Sequence, residues 1–267
     1  DLLNQITPDI VHHFVDLLQR DKAPQYIDFL MNICIITSPS SPLPEPLPKL
    51  QHMVTEGLLE KNPHLLPRCR MDVNTDGGIT LIINIPGTVN AQGEPLWLNI
   101  ADFKQAVQIR GRMQDYAGWI LNAPLGDLNA EQKVVRYFIR CLNMYGRLAL
   151  GRNQNSLRQL LSNKNLALSY DSIMRILKEK SLPYLIRARY WTLMERLFID
   201  RDPQVPSPAI NLTRVWKKCT PETSDLDMSV ANEGSTIPVC TNKFEDLLAL
   251  VLTEMPNLAD CRHNGKP

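Results

Sequence analysis

Aromatic residues are scarce in this 267-residue chain, at 6%, and neither sign of charge is in excess: 29 Lys and Arg stand against 28 Asp and Glu, a formal +1. So even a balance sets up no global field that would draw a nucleic acid or an anionic membrane. No run of eighteen apolar residues occurs, so no segment reads as a membrane span. The six cysteines (Cys34, Cys69, Cys141, Cys219, Cys240 and Cys261) show no short spacing, which excludes a zinc-ligand pattern. In a chain this long they read as reduced thiols rather than as a disulfide framework. Gly-x-Ser-x-Gly, His-Glu-x-x-His, a phosphate loop and a dinucleotide fingerprint are all missing. His12 and His13 are adjacent and point to different sides of a helix, so they cannot chelate one ion together. Asp225 and Asp227 fall in a polar, Gly- and Ser-containing stretch that cannot hold an acid–base pair in fixed geometry. A non-enzyme is expected, with no cofactor held by this segment alone.

What is present is helical. Hydrophobic content of 44% is that of a globular protein. Ile10, Phe14, Val15, Leu17 and Leu18 recur at helical spacing over residues 8–20, behind Thr7 as N-cap and Pro8 at the first turn. Pro24 opens a second helix with Tyr26, Ile27, Leu30, Ile33 and Cys34 inward. Ser38 to Pro48 holds five prolines in eleven residues and reads as an extended connector, with Pro39-x-x-Pro42 as a weaker polyproline-ligand signal. A third helix is expected at about 48–61. Ile79-Thr-Leu-Ile-Ile-Asn-Ile85 and Leu96-Trp-Leu-Asn-Ile100 read as a β-hairpin, with Pro86-Gly87 as a turn. The longest helix is expected over 129–151, with Asn129 and Gln132 as a capping box and a wide stripe from Val134 to Ala149. Shorter helices at 157–161 and 169–180 lead into one from Pro183 to about 200, and Phe244–Met255 gives a last amphipathic helix.

Two charged features stand out. Arg136, Arg140 and Arg147 share one side of the 129–151 helix, and Arg187, Arg189, Arg196 and Arg201 crowd the later one. An anion site or an interface with acidic helices is one reading. A solvated face pairing with nearby Asp and Glu is the preferred one. The helix that starts at Pro183 leaves through Asp200-Arg-Asp-Pro203, a corner whose oxygens suit a hard cation but whose local carboxylates number only two.

Taken together, these residues resemble the cytosolic helical region of the inositol trisphosphate receptor family. The likeness rests on Leu182-Pro-Tyr, Arg187-Ala188, Leu193-Met194, Asp200-Arg-Asp-Pro-Gln204 and Leu212-Thr-Arg-Val-Trp216. Arg136-Tyr137, Leu142-Asn143 and Arg147-Leu148 are similar to its preceding helix, and Phe14-Val15 with Tyr26-Ile-Asp-Phe-Leu30 to its first helical pair. Val205 departs from the family pattern, which has an acidic residue there, and residues 71–128 match poorly, so a divergent member is expected.

The resemblance implies an all-α fold, an armadillo-like helical solenoid with a small β-hairpin insertion. The expected layout is helical hairpins with a proline-rich loop over 1–70 and the insertion over 71–100. An armadillo-like helical domain over 101–254 and a disordered tail over 255–267 complete it. It also implies a homotetrameric calcium-release channel of the endoplasmic reticulum membrane, with this segment on its cytosolic side, linking the ligand-binding core to the pore. Inositol trisphosphate would be bound upstream of Asp1, and the chain would touch neighbouring domains and subunits but no nucleic acid. Calcium would enter as a regulator through the main-chain carbonyl of Arg201, with acidic ligands from outside the segment. A chain beginning at Asp1 is thus expected to be a piece of a larger protein, joined to the membrane only through its parent. From the residues alone, a soluble armadillo-like scaffold for partner helices is the alternative.

Overall fold

The structure, a computed structural model, describes residues 6–37, 43–75, 78–109, 112–200 and 244–263. Helices α1 (Pro8–Arg20) and α2 (Pro24–Asn32) form the expected antiparallel pair, each with proline in its first turn, where no amide donor is needed. Thr7 occupies the N-cap of α1 with extended backbone, but its side chain makes no capping bond. Phe14 of α1 stacks on Phe29 of α2 at 3.7 Å between ring centroids.

From Leu43 onward the proline-rich connector carries regular structure. Ile35–Ile36 (β1) pairs antiparallel with Glu45–Pro46 (β2), and the Leu47 amide donates to the Cys34 carbonyl at 2.9 Å. Helix α3 (Pro48–Val54) follows and widens into π-helical turns over Thr55–Glu60.

Residues 68–115 overturn the all-α expectation. β3 (Arg68–Val73), β4 (Ile79–Val89) and β5 (Pro95–Asn99) make an antiparallel three-stranded sheet in that order, and β6 (Ala106–Ile109) pairs with β7 (Arg112–Asp115). Alternation sends Ile79, Leu81, Ile83 and Ile85 of β4 into the common core, at 5% exposure or less. The sheet is therefore a wall of the core rather than an appendage. Pro86-Gly87 does not end the strand. Gly87, at φ +87°, carries an irregularity between Asn84 and Val89, and the hairpin turns instead at Asn90–Glu94.

A short helix α4 (Tyr116–Asn122) leads to α5 (Ala130–Ala149), the longest helix among the described residues. Asn129 and Gln132 form the expected capping box, with reciprocal bonds of 2.8 and 2.9 Å. Then come α6 (Gln154–Ser162), α7 (Tyr170–Lys178) and α8 (Tyr184–Met194), the last extended by π-helical turns through Ile199. Helix α9 spans Glu245–His263, past the boundary at 255.

α5 sits at the centre, packed against α2, α4, α6, α8 and β4. In a solenoid each unit meets only its sequence neighbours. Here the α2–α5 and α3–α6 contacts join residues about a hundred positions apart, as the 2.7 Å bond between buried Thr55 and Ser156 illustrates. The fold is a mixed helix-and-sheet body wrapped on one helix.

Candidate functional site

The C-terminal half of α5 carries Arg140, Asn143 and Arg147 at helical spacing, and α8 with its extension carries Arg189, Thr192 and Arg196. The two helices pack together, and Gly146 is what lets them come close: a Cβ there would lie 3.3 Å from Nη1 of Arg196. These two rows, with the β1–β2 ribbon and the end of α2 beside them, enclose a cleft of about 510 Å³. Four arginines line it (Arg140, Arg147, Arg189 and Arg196), and among the described residues no carboxylate does.

The arginines are not the solvated, acid-paired face that their spacing favours. All four are half-buried. Arg140 Nη1 lies 3.1 Å from Oδ1 of Asp28, itself 29% exposed, but the contact lacks hydrogen-bond alignment. Burial raises the Asp28 carboxyl above the usual range, despite the opposing pull of Arg140, Arg136 and Arg147. Arg147 donates from Nη1 to Oδ1 of Asn32 at 2.8 Å, and Arg196 from Nη1 to the Gly146 carbonyl at 2.7 Å. Just outside the cleft, Arg136 donates from Nη1 to the Ala123 carbonyl at 2.6 Å.

Burial, and after it the repulsion of Arg140 and Arg147, hold the Arg189 guanidinium below its ordinary pKa. The same burial lowers Arg136, Arg147 and Arg196. The Nε atoms of Arg140 and Arg189 are buried without a hydrogen-bond partner. Each guanidinium has five N–H donors in a planar fork. The cleft thus concentrates positive charge and unspent donors in a partly desolvated space, which suits an anion. It offers no nucleophile with an adjacent base.

Beside the cleft, the end of α5 is closed by side chains from far away in sequence. Gln51, fully buried, donates its amide to the carbonyls of Arg147 (2.8 Å) and Leu150 (2.9 Å) and accepts from Nδ2 of Asn153 at 3.1 Å. These are the carbonyls a helix C-terminus leaves without intrahelical partners. Gly151, at φ +73°, turns the chain there, directly against Pro46 of β2.

The one site residue expected from the sequence, Arg201, lies outside the described residues, as does the corner beyond Asp200. Asp200 itself pairs with Arg152 at 2.8 Å. His12 and His13 are both exposed. Among the described residues no three His, Cys, Asp or Glu side chains gather to hold a metal ion, and no helix is long and apolar enough to cross a membrane. Asp28, Asn32 and Gln51 were not singled out by sequence reasoning. Gln51 alone left a signal, as a polar residue on the apolar face of Leu50, Val54 and Leu58.

In comparison with known proteins, the chain is similar to the inositol 1,4,5-trisphosphate receptor-like protein A of Dictyostelium discoideum, with 28% identity over 215 residues. The match covers 80% of this chain and 5% of that protein, so the chain spans only a small part of its relative. No family model matches. The likeness supports a distant relationship to inositol trisphosphate receptors and is compatible with a segment of such a receptor.

Proposed function

We propose that this chain is a regulatory and coupling segment of an inositol-trisphosphate-gated calcium-release channel in the endoplasmic reticulum membrane. It lies on the cytosolic side of a homotetramer, between the ligand-binding core and the pore, and catalyses nothing itself. The observation that carries this reading is the 215-residue likeness to the receptor-like protein, which extends over 80% of the chain. The interlocked body supports it. Contacts such as Gln51 to the end of α5 and Arg196 to Gly146 tie segments 50 to about 100 residues apart into one piece. A piece built so can pass on a displacement rather than absorb it.

In this reading inositol trisphosphate binds upstream, and calcium regulates through the Arg201 carbonyl together with acidic groups from elsewhere in the channel. The isolated chain then shows no tight calcium binding in a calorimetric titration.

The test is made in the parent receptor in endoplasmic reticulum vesicles, with substitutions that loosen this body, Gly151→Ala and Gln51→Leu. Inositol trisphosphate binding is expected to persist while ligand-triggered calcium release falls. Release unchanged by both substitutions, or a parent chain without hydrophobic spans, would refute the proposal.

A further inference from the structure

We propose that the cleft between α5 and α8 is a binding site for a small, multiply charged phosphate anion, held by Arg140, Arg147, Arg189 and Arg196 with help from Asn143. The inference stands on the cleft's own chemistry and does not depend on the channel reading.

Charge comes first. Four arginines line the space and no carboxylate among the described residues does; Asp28 lies against Arg140 from outside the lining, and Glu195, then Asp200, act on Arg196, so positive charge stays in surplus. Such a surplus in half-buried groups is costly unless an anion offsets it. The sequence between Thr37 and Leu43, Ser-Pro-Ser-Ser-Pro, holds no acid.

Donor geometry comes second. The described hydrogen bonds use one donor of Arg147 and one of Arg196, while Arg189 has none, and the buried Nε atoms of Arg140 and Arg189 are idle. Guanidinium forks match the spacing of phosphate oxygens and bind them through charge-assisted pairs. A neutral donor completes the lining, the Asn143 amide, while the Thr192 hydroxyl spends its one proton on the Ala188 carbonyl at 3.3 Å.

Size comes third. A volume of about 510 Å³ between packed helices is that of a small-ligand pocket. An acidic peptide would bring one charge per side chain on a flexible stem, whereas a diphosphate or triphosphate brings the needed charge in a few atoms. Bound there, the anion would bridge α5 and α8 and stiffen their junction.

The test is isothermal titration of the 267-residue chain with inorganic pyrophosphate and tripolyphosphate at low salt, with sulfate and a glutamate-rich peptide as competitors. Saturable one-to-one binding is expected, weaker for sulfate, weaker at higher salt and not displaced by the peptide. Arg189→Gln should weaken binding by roughly tenfold to a hundredfold, the worth of a charge-assisted pair to an oxyanion. Without ligand its melting temperature should stay level or rise, because an unpaired, repelled cation has gone. Asp28→Asn should tighten binding several-fold, since it removes the carboxylate that lies against Arg140. Arg158→Gln, on the exposed face of α6, should change nothing. No saturable heat, equal weakening by Arg189→Gln and Arg158→Gln, or displacement of pyrophosphate by the peptide would each overturn the proposal. None of these outcomes bears on calcium release, so failure here leaves the channel reading intact.

Discussion

Gln51→Leu is the sharpest probe of how this body is held together. The wild-type amide serves two carbonyls at the end of α5 and receives a bond from Asn153, all within 3.1 Å and all out of water. Leucine has a similar volume, so the change removes bonds without opening a large cavity. The Arg147 carbonyl keeps a second donor, the Leu150 amide at 3.3 Å, but the Leu150 carbonyl loses its described partner. A buried acceptor left without a donor costs about 1–3 kcal/mol, and each further lost bond about 1. Burying leucine's extra apolar surface returns about 1 kcal/mol. The net expectation is a destabilisation of about 2–4 kcal/mol.

Gln51→Glu should be worse at pH 7, because the introduced carboxylate faces two carbonyl oxygens and lacks donors to offer them. Burial and those oxygens raise its folded pKa above the unfolded value. The penalty is therefore full at high pH and shrinks as pH falls through the raised value, where the protonated acid can donate one bond. Equilibrium unfolding in urea followed by circular dichroism reads both effects as midpoint shifts at constant slope. A Gln51→Leu variant within about 0.5 kcal/mol of wild type, or a Gln51→Glu variant more stable than it at pH 7, would refute the reasoning.

Three further outcomes follow from the same structure. Gly151→Ala forces a side chain into the left-handed region and sets its Cβ 2.5 Å from Pro46 Cγ, so thermal unfolding should show a loss of about 2–4 kcal/mol, partly recovered by adding Pro46→Ala. Glu179 is held below its ordinary value of 4.5 by the amide of Ile79, then by that of Ser181. Its contribution is present above that ordinary value and is lost as pH falls through the lower folded one, so Glu179→Gln should melt earlier at pH 7 and show a shallower stability loss in acid; parallel profiles would count against it. Tyr137→Phe removes the buried bond from the Tyr137 hydroxyl to the Leu65 carbonyl (3.1 Å), for an expected cost of about 1–2 kcal/mol in urea unfolding.

The helices were legible because their ends are written locally. Prolines at 8, 24 and 48 each open one, and the Asn129/Gln132 capping box places the start of α5 to the residue. Strand β4 was legible from its β-branched run. β3 left a fainter signal: Arg68-Cys-Arg-Met71 alternates exposed polar with half-buried apolar side chains, but the pattern breaks at Asp72 and Val73, and Pro67 reads first as a breaker. The all-α assignment failed at a different level. Periodicity tells which residues face inward but not whether a strand lies at the rim or in the core, and Leu81 and Ile83 prove fully buried.

The arginine cleft shows the deeper limit. On α5 alone, Arg140 and Arg147 are a polar stripe, and a stripe on an isolated helix belongs in water. What buries it is α2, 115 residues away at the Asn32–Arg147 bond, and α8, 50 residues away at the Arg196–Gly146 bond. Charge composition points the wrong way as well. A chain with 29 basic and 28 acidic residues has acids to spare for every arginine, yet folding spends them elsewhere: Glu56 on Lys61, Asp72 on Arg70, Asp200 on Arg152. Near-neutrality of the whole therefore coexists with a concentrated local surplus. The surplus sits where α5 meets both α2 and α8. An anion that neutralises it would act on the junction of these three helices.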